Sequence, residues 1–187
     1  MALINSTAIP SGATGYEIEQ SLRFNDDDSP YLTRTPSSTS NRKTWTFSAW
    51  YKVTGSTDNR NVFGAGNDYN EYSAFFIQGN QYLQYSDKDS GADRYWKTDA
   101  LLRDPSAWYH IMIVVDTTEG TDTNRIKMYV NGSQATISNT NGEFGSSEDT
   151  YMNLNSKLHW LGADHDGAAP YDGDLGEVNF IDGAAKV

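Results

Sequence analysis

In the stretch TWTFSAWYKV, residues 44–53, Trp45, Phe47, Ala49 and Tyr51 stand at alternate positions, with Thr46, Ser48 and Lys52 among the residues between them. A period of two puts alternate side chains on opposite faces of a β-strand, whereas a helix needs an apolar period near 3.6. Trp50 breaks the polar half and sets an aromatic ring on the face turned away from the apolar one. The pattern returns in RIKMYVNG (125–132), where Ile126, Met128 and Val130 point one way and Arg125, Lys127 and Tyr129 the other. The run Ile111 to Val115 is apolar at every position, which predicts a strand covered on both faces and central in its sheet. No helical apolar period of useful length occurs.

The rest of the chain reads the same way. Strands are expected at 16–24, 31–34, 61–66, 72–78, 81–86, 94–98, 108–116, 158–163 and 175–181, besides 44–53 and 125–132. Asn131-Gly132 is a strong hairpin signal because both residues tolerate positive φ, and Gly79-Asn80 is a weaker one. Polar loops are expected at 37–43, 116–124 and 139–150. The 5 Trp, 12 Tyr and 7 Phe, separated by Asn, Asp, Ser, Thr and Gly, suit many short strands joined by turns. Such spacing predicts an all-β fold, a two-sheet antiparallel sandwich. The 187 residues fit one domain, 16–187, behind a small polar arm at 1–15 that is expected to order against a neighbouring subunit or a larger particle.

Charge and composition exclude several functions. The formal net charge of −11 opposes a nucleic-acid partner, since phosphates call for Lys and Arg. No apolar run approaches the length of a membrane span, so no membrane insertion is expected. The N-terminus lacks the basic start and apolar core of a signal peptide. With no cysteine there is neither disulfide nor thiolate chemistry.

WYHIMIVVDTTEGTDTNRIKMYVNG resembles the core hairpin of the laminin-G-like branch of the concanavalin A-like lectin/glucanase superfamily, in its Trp108-x-His110 strand and its Tyr129 to Gly132 ending. YDGDLGEVNFIDG is similar to that family's closing strand, and SLRFNDDDSPYLTRT to its first. The resemblance covers about residues 20–185 and implies a jelly-roll sandwich. The arm, NRKTWTFSAWYK and GEVNFIDG also resemble laminin-G-like proteins of tailed bacteriophages, where the domain is part of a tail, fibre or other virion protein. The fold hosts lectins, glycanases, adhesion modules and structural caps, so function has to be argued from the site.

The stretch DHDGAAPYDGDLGEV, residues 164–178, gathers Asp164, Asp166, Asp172, Asp174 and Glu177 around two Asp-Gly steps. Glycoside hydrolysis needs two carboxyls flanking the scissile bond. The Glu-x-Asp-x-x-Glu strand of laminarinase-type relatives is absent, and most of the seven Glu lie in apparent loops. His110, His159 and His165 have no zinc-ligand spacing, and His110 and His159 lie in strand-like surroundings, where a hydrogen-bonded core role is expected. Calcium takes six to eight oxygens, which Asp-rich loops supply. Asp164, Asp166, Asp172 and Asp174, with Asp26 from the opening strand's turn, are its candidate ligands; the competing reading is plain Asp-Gly turn chemistry. Glu177 is expected to be partly buried and bonded to backbone or to His110.

Sugar binding stacks aromatic rings on pyranose faces beside Asn, Asp and Gln. Tyr95 and Trp96, following a polar loop, are the first candidates, with Tyr69, Tyr72 and Trp50 in support; the competing reading is that such rings fill the core. The resemblance then implies a non-catalytic phage virion component that contacts other virion subunits or host-surface polysaccharide, in several copies such as a homotrimer. A glycan-active hydrolase and a purely structural decoration domain are the alternatives.

Overall fold

The computed structural model describes residues 20–53, 59–79, 81–90 and 92–187. The arm at 1–15, the first residues of the strand expected at 16–24 and Asn80 of the weaker turn lie outside the described residues. Two antiparallel sheets stack face to face. The strands are β1 (Ser21–Phe24), β2 (Leu32–Arg34), β3 (Thr44–Val53), β4 (Arg60–Asp68), β5 (Glu71–Ile77), β6 (Leu83–Asp89) and β7 (Ala92–Thr98), then β8 (Tyr109–Asp116), β9 (Ile126–Val130), β10 (Ser133–Gln134), β11 (Ile137–Thr140), β12 (Leu158–Leu161) and β13 (Gly173–Asp182). One sheet runs β1-β13-β3-β8-β9-β10, the other β11-β7-β6-β5-β4-β12-β2. Among the described residues helix is confined to two single 3-10 turns, Asp26–Asp28 and Asp122–Asn124.

The alternation of β3 decides the core. Trp45, Phe47, Ala49 and Tyr51 are fully buried, as are Ile111 and Ile113 of β8, paired with Ala49 and Phe47. From the other sheet come Phe75, Ile77, Leu83, Tyr85 and Trp96. Phe47 stacks on Phe63 at 4.9 Å and on Phe75 at 5.1 Å between ring centroids. Such ring pairs contribute about 0.5–1.5 kcal/mol each beyond the area they bury. The Trp45 indole N–H donates to Thr150 Oγ1 at 3.1 Å, which satisfies the polar edge of a buried ring.

Asn131 and Gly132 both take positive φ, 50° and 77°, and turn β9 into β10 as a primed hairpin turn requires. β10 and β11 are two strands that the side-chain pattern does not announce. β11 overlaps the loop expected from residue 139; ISNT has no apolar alternation, and it is held by backbone pairing along the open edge of β7, from Ile137 opposite Thr98 to Thr140 opposite Tyr95. Trp108 and His110 fall on the outer side of the six-stranded sheet, where the His110 ring lies 5.2 Å from that of Trp50. His110 is therefore half-buried on an outer face, not a core residue as expected, because Ile111 takes the inward position next to it. His159 does lie inside: it is buried, and its Nε2 accepts the Asn153 N–H at 2.9 Å.

One buried ionic network anchors the seven-stranded sheet to the loop that follows β11. Asp87 lies at 1% exposure, with Oδ2 accepting the Ser73 hydroxyl at 2.6 Å. Arg94 reaches from β7 to Asp87 at 3.4 Å and to Glu148 at 2.8 Å. Burial pushes the Asp87 carboxyl up to about 7, against the pull of Ser73, Arg94 and Tyr85.

Two expectations follow. Ile113→Ala removes a fully buried side chain and should cost about 2–5 kcal/mol in denaturant unfolding. For Asp87 the folded-state value lies above the unfolded one, so between about pH 4 and 7 the folded state binds more protons. The wild type should therefore lose stability relative to Asp87→Asn as pH rises through that window, which melts of both proteins across the range would register.

Candidate functional site

Alternation along β5, β6 and β7 turns every second side chain away from the core. Phe75, Tyr85 and Trp96 point inward, so Tyr72 and Phe76, Gln84 and Ser86, and Asp93 and Tyr95 stand on the outer face. There they line one groove of about 300 Å³, at the lower bound of ordinary ligand sites. Asn59 and Asn61 of β4 and its approach, and Tyr69 in the β4–β5 turn, close one side. Trp160 of β12, with Asp164, His165 and Ala169 from the loop after it, adds the rest.

Trp160 owes its place to a glycine. A Cβ at Gly64 would lie 2.5 Å from Trp160 Cζ2, so the indole can settle over β4 only because residue 64 has no side chain. Trp160 is 2% exposed, and its indole N–H has no protein partner. Asn61, also 2% exposed, leaves Oδ1 without one, and so does Asp93 Oδ1. Among the described residues seven buried side-chain polar atoms lack a partner, and these three line this one groove. A buried polar atom without a partner costs about 1–3 kcal/mol, so the groove holds hydrogen-bonding capacity that the protein itself does not use.

The acidic loop forms the rim. Gly162 N–H donates to Val62 O at 3.0 Å, and Asn61 N–H to Ala169 O at 3.0 Å, tying the loop to β4. Asp164 Oδ1 accepts the Ala168 N–H at 2.7 Å and Asp166 Oδ1 the same N–H at 3.2 Å, which is Asx-turn chemistry. The Tyr69 hydroxyl reaches both carboxylates at 3.2 Å, and the Tyr69 ring meets His165 edge-on at 4.7 Å. Burial first, then Asp166, raises the Asp164 carboxyl; the hydrogen bond with Asp164 lowers that of Asp166. Loss of hydration and the field of these carboxylates hold the Tyr69 phenol up at about 12, so it stays a donor at neutral pH.

The residues expected to stack sugars divide. Tyr69, Tyr72 and Tyr95 meet at the groove. Trp96 does not: it is 1% exposed, stacked on Phe144 at 4.9 Å, with its N–H donated to Glu143 Oε2 at 2.8 Å. Adjacent residues of one strand face opposite ways, so Tyr95 and Trp96 cannot share a surface. Trp50 lies on the outer side of the other sheet, beside Trp108 and His110. Phe76 and Trp160, unnamed by the sequence reading, join the groove; the alternation of YSAFFIQ and LHWLGA carried the signal.

The five aspartates expected around calcium do not converge. Asp172 pairs with Arg23 at 3.1 Å and faces Arg60 at 3.9 Å; Asp26 meets Arg60 at 3.4 Å, and Asp174 meets Arg23 at 3.7 Å. Asp26 and Asp172 are indeed neighbours, but a buried guanidinium stands between them where a cation was expected. Among the described residues, the one group of three or more metal-ligating side chains within 4.8 Å of one another is Asp164, His165 and Asp166. Two carboxylates fall well short of six to eight oxygens, so the expected donor set does not fit a structural calcium ion. Glu177 is exposed at φ 47°, beside a break in register between Gly176 and Asn179, and not partly buried as expected: the bulge turns it outward.

Two stacked antiparallel sheets with a groove on one outer face define an antiparallel β-sandwich. The laminin-G-like family model of the concanavalin A-like lectin/glucanases superfamily matches residues 26–186, and the chain belongs to that family. A comparison with the curated proteins gives no match. Among solved structures, the CBM40 of the Ruminococcus gnavus IT-sialidase, bound to α2,3 sialyllactose, is similar over 80% of this chain and 91% of its own, at TM-score 0.56 and 14% identity. Domain 4 of the Geobacillus stearothermophilus GH43 arabinanase AbnA, in complex with arabinotriose, is similar over 83% and 68%, at 0.58 and 19%. The enzymatically active domain of tailspike protein 2 of bacteriophage CBA120 is similar over 88% of this chain and 25% of its own, at 0.59 and 12%. At these identities the likeness is one of fold.

Replacing Gly64 by alanine should lift Trp160 from the groove floor while leaving the core closed. Tryptophan fluorescence should shift and a hydrophobic dye should find new surface, and an unchanged spectrum would mean that the indole does not rest on this residue.

Proposed function

We propose that the chain is a non-catalytic glycan-binding module, with the groove between Tyr69, Tyr72, Tyr95 and Trp160 as its site. The observation that carries this reading is the joint lining of one groove by five aromatic side chains, Phe76 among them, and three unpartnered polar atoms, Trp160 Nε1, Asn61 Oδ1 and Asp93 Oδ1. Sugar hydroxyls both donate and accept, and pyranose C–H faces stack on aromatic rings, so one ligand class meets both needs. Two neighbours of similar fold, one bound to α2,3 sialyllactose and one in complex with arabinotriose, support a sugar ligand on this fold.

The setting belongs to the same proposal. The phage-like stretches NRKTWTFSAWYK and GEVNFIDG, and the likeness to a bacteriophage tailspike domain, support a virion component that sits among other virion subunits and meets host-surface polysaccharide. A groove this small gives weak binding per copy, with avidity from several copies, as in a trimer. Calcium enters only as a weak occupant of the Asp164–Asp166 pair. Few charged ligands give a calcium site low affinity.

Two measurements test this. Tyr95→Ala should abolish retention on immobilised polysaccharide while shifting the melting temperature little, because Tyr95 faces outward; retention equal to wild type would remove the groove from consideration. A reducing-sugar assay on the bound polysaccharide should show no product. For the cation, millimolar calcium should raise the melting temperature of the wild type but not of Asp166→Asn, since a ligand of the folded state stabilises by mass action.

A further inference from the structure

We infer that the groove selects glycans that carry no anionic group at the bound residues, and that Asp93 sets this selectivity; the inference deepens the glycan-binding reading and rests on it. The titratable side chains lining the groove are Asp93, Asp164, His165 and the three tyrosines, and among the described residues no Lys or Arg lines it. Asp166 stands just outside, within reach of the Tyr69 hydroxyl. Lys88 is opposite Asp93 in the β6–β7 ladder but is not a lining residue, and Lys97 has its ammonium over the Tyr82 ring, 5.1 Å away.

The arginines that would bind a carboxylate or sulfate are used elsewhere. Arg60 is 2% exposed at the side chain, beneath Asp26 and Asp172. Arg23 holds Asp172 and Asp174, and Arg94 holds Asp87 and Glu148 on the core side of the sheet. A bidentate guanidinium is the usual partner of a planar anion, and the groove offers none.

What it offers instead is acceptors. Asn61 Oδ1 and Asp93 Oδ1 are buried and unpartnered, and Gln78, Gln84, Asn59 and Ser86 surround them. The Asp93 charge also acts on its neighbours: after burial, it is the next cause that holds the Tyr72 phenol up at about 12. A hydroxyl or ammonium of a sugar completes Asp93. A carboxylate, sulfate or phosphate placed there meets like charge in a poorly hydrated site, where repulsion is stronger than in water. The groove thus accepts hexoses, pentoses, N-acetylated sugars and free amino sugars, and rejects sialic acids and uronic acids.

The test uses the whole chain in chelator, so that no divalent cation bridges an anion to the rim. Immobilised probes are cellohexaose, mannohexaose, chitohexaose, its deacetylated form and N-acetyllactosamine, with α2,3-sialyl-N-acetyllactosamine, 6-sulfo-N-acetyllactosamine and a hyaluronan hexasaccharide as the anionic arm. Binding should appear among the uncharged or amino-sugar probes, at least tenfold over their anionic counterparts. For the uncharged probes it should change little between about 0.05 and 0.5 M NaCl, since no charge pair is screened. Asp93→Asn, checked for an unchanged melting temperature, should narrow the discrimination several-fold. Stronger binding of an anionic probe than of its neutral counterpart would overturn the inference while leaving the glycan-binding reading intact. Unchanged discrimination in a folded Asp93→Asn would overturn the role of Asp93. Absence of binding to every probe on the panel would overturn both.

Discussion

The two-residue period of β5, β6 and β7 is the constraint from which the rest follows. Three strands that bury Phe75, Tyr85 and Trp96 on one side have no choice about the other: Ala74 with Tyr72 and Phe76, Ser86 with Gln84, and Tyr95 with Asp93 must face away. A slip of one residue in any of these ladders would place Asp93 and Gln84 among the rings and expel Trp96. Core packing therefore fixes the groove lining. The small residues on the outer face, Gly64, Ala74 and Ser86, leave the depth into which Trp160 and Tyr69 fold from the neighbouring segments.

This explains how much of the site could be read from the sequence. Strand-level pattern was legible where side chains alternate, as in β3 and β9, or where a run is apolar throughout, as in β8, and the primed turn at Asn131-Gly132 was legible from its residue types. β11 was not, because its stability lies in backbone hydrogen bonds to β7 that leave no mark on side-chain type. Tyr95 and Trp96 were read together as a sugar surface, yet the period that identified their strand already allows only one of them outward. What decides between the two is the partner of each face: Phe144 and Glu143 come from a loop nearly fifty residues on, and they close over Trp96. Phe76 and Trp160 were legible in principle from the same alternation, but only once the inward residues were known.

The acidic stretch shows a second limit. Asp172 and Asp174 lie next to an Asp-Gly step, and Gly173 is required there: at φ 148°, a Cβ on it would sit 2.1 Å from Lys52 O. That geometry says how the chain turns but not what the carboxylates face. Arg23 and Arg60, from β1 and β4, answer that question, and neither is near in sequence. With Arg60 buried, its charge must be compensated close by, and Asp26 and Asp172 supply this. The same aspartates would suit a cation if that arginine were absent. Sequence spacing alone could not tell the two apart, since both arrangements need acidic turns meeting at one corner of the sandwich.

Charge placement also separates what the fold provides from what this chain provides. A sandwich with one free sheet face locates a groove whatever its sequence; the side chains on that face decide what it holds. Here three arginines are drawn into structural pairs, Arg94 bracing the sheet against the loop beneath it and Arg60 and Arg23 pinning the acidic corner. The groove lining on the outer face keeps carboxylates, amides and phenols, with Lys88 and Lys97 of that face outside it. The Trp160 indole N–H and the protonated Tyr72 phenol donate, while Asn61 and Asp93 accept, so the groove lining carries both halves of a hydroxyl's hydrogen bonding without a positive charge. Placing these arginines behind the sheet and in its corners thus stabilises the sandwich and, by the same arrangement, leaves the groove an acceptor-rich surface.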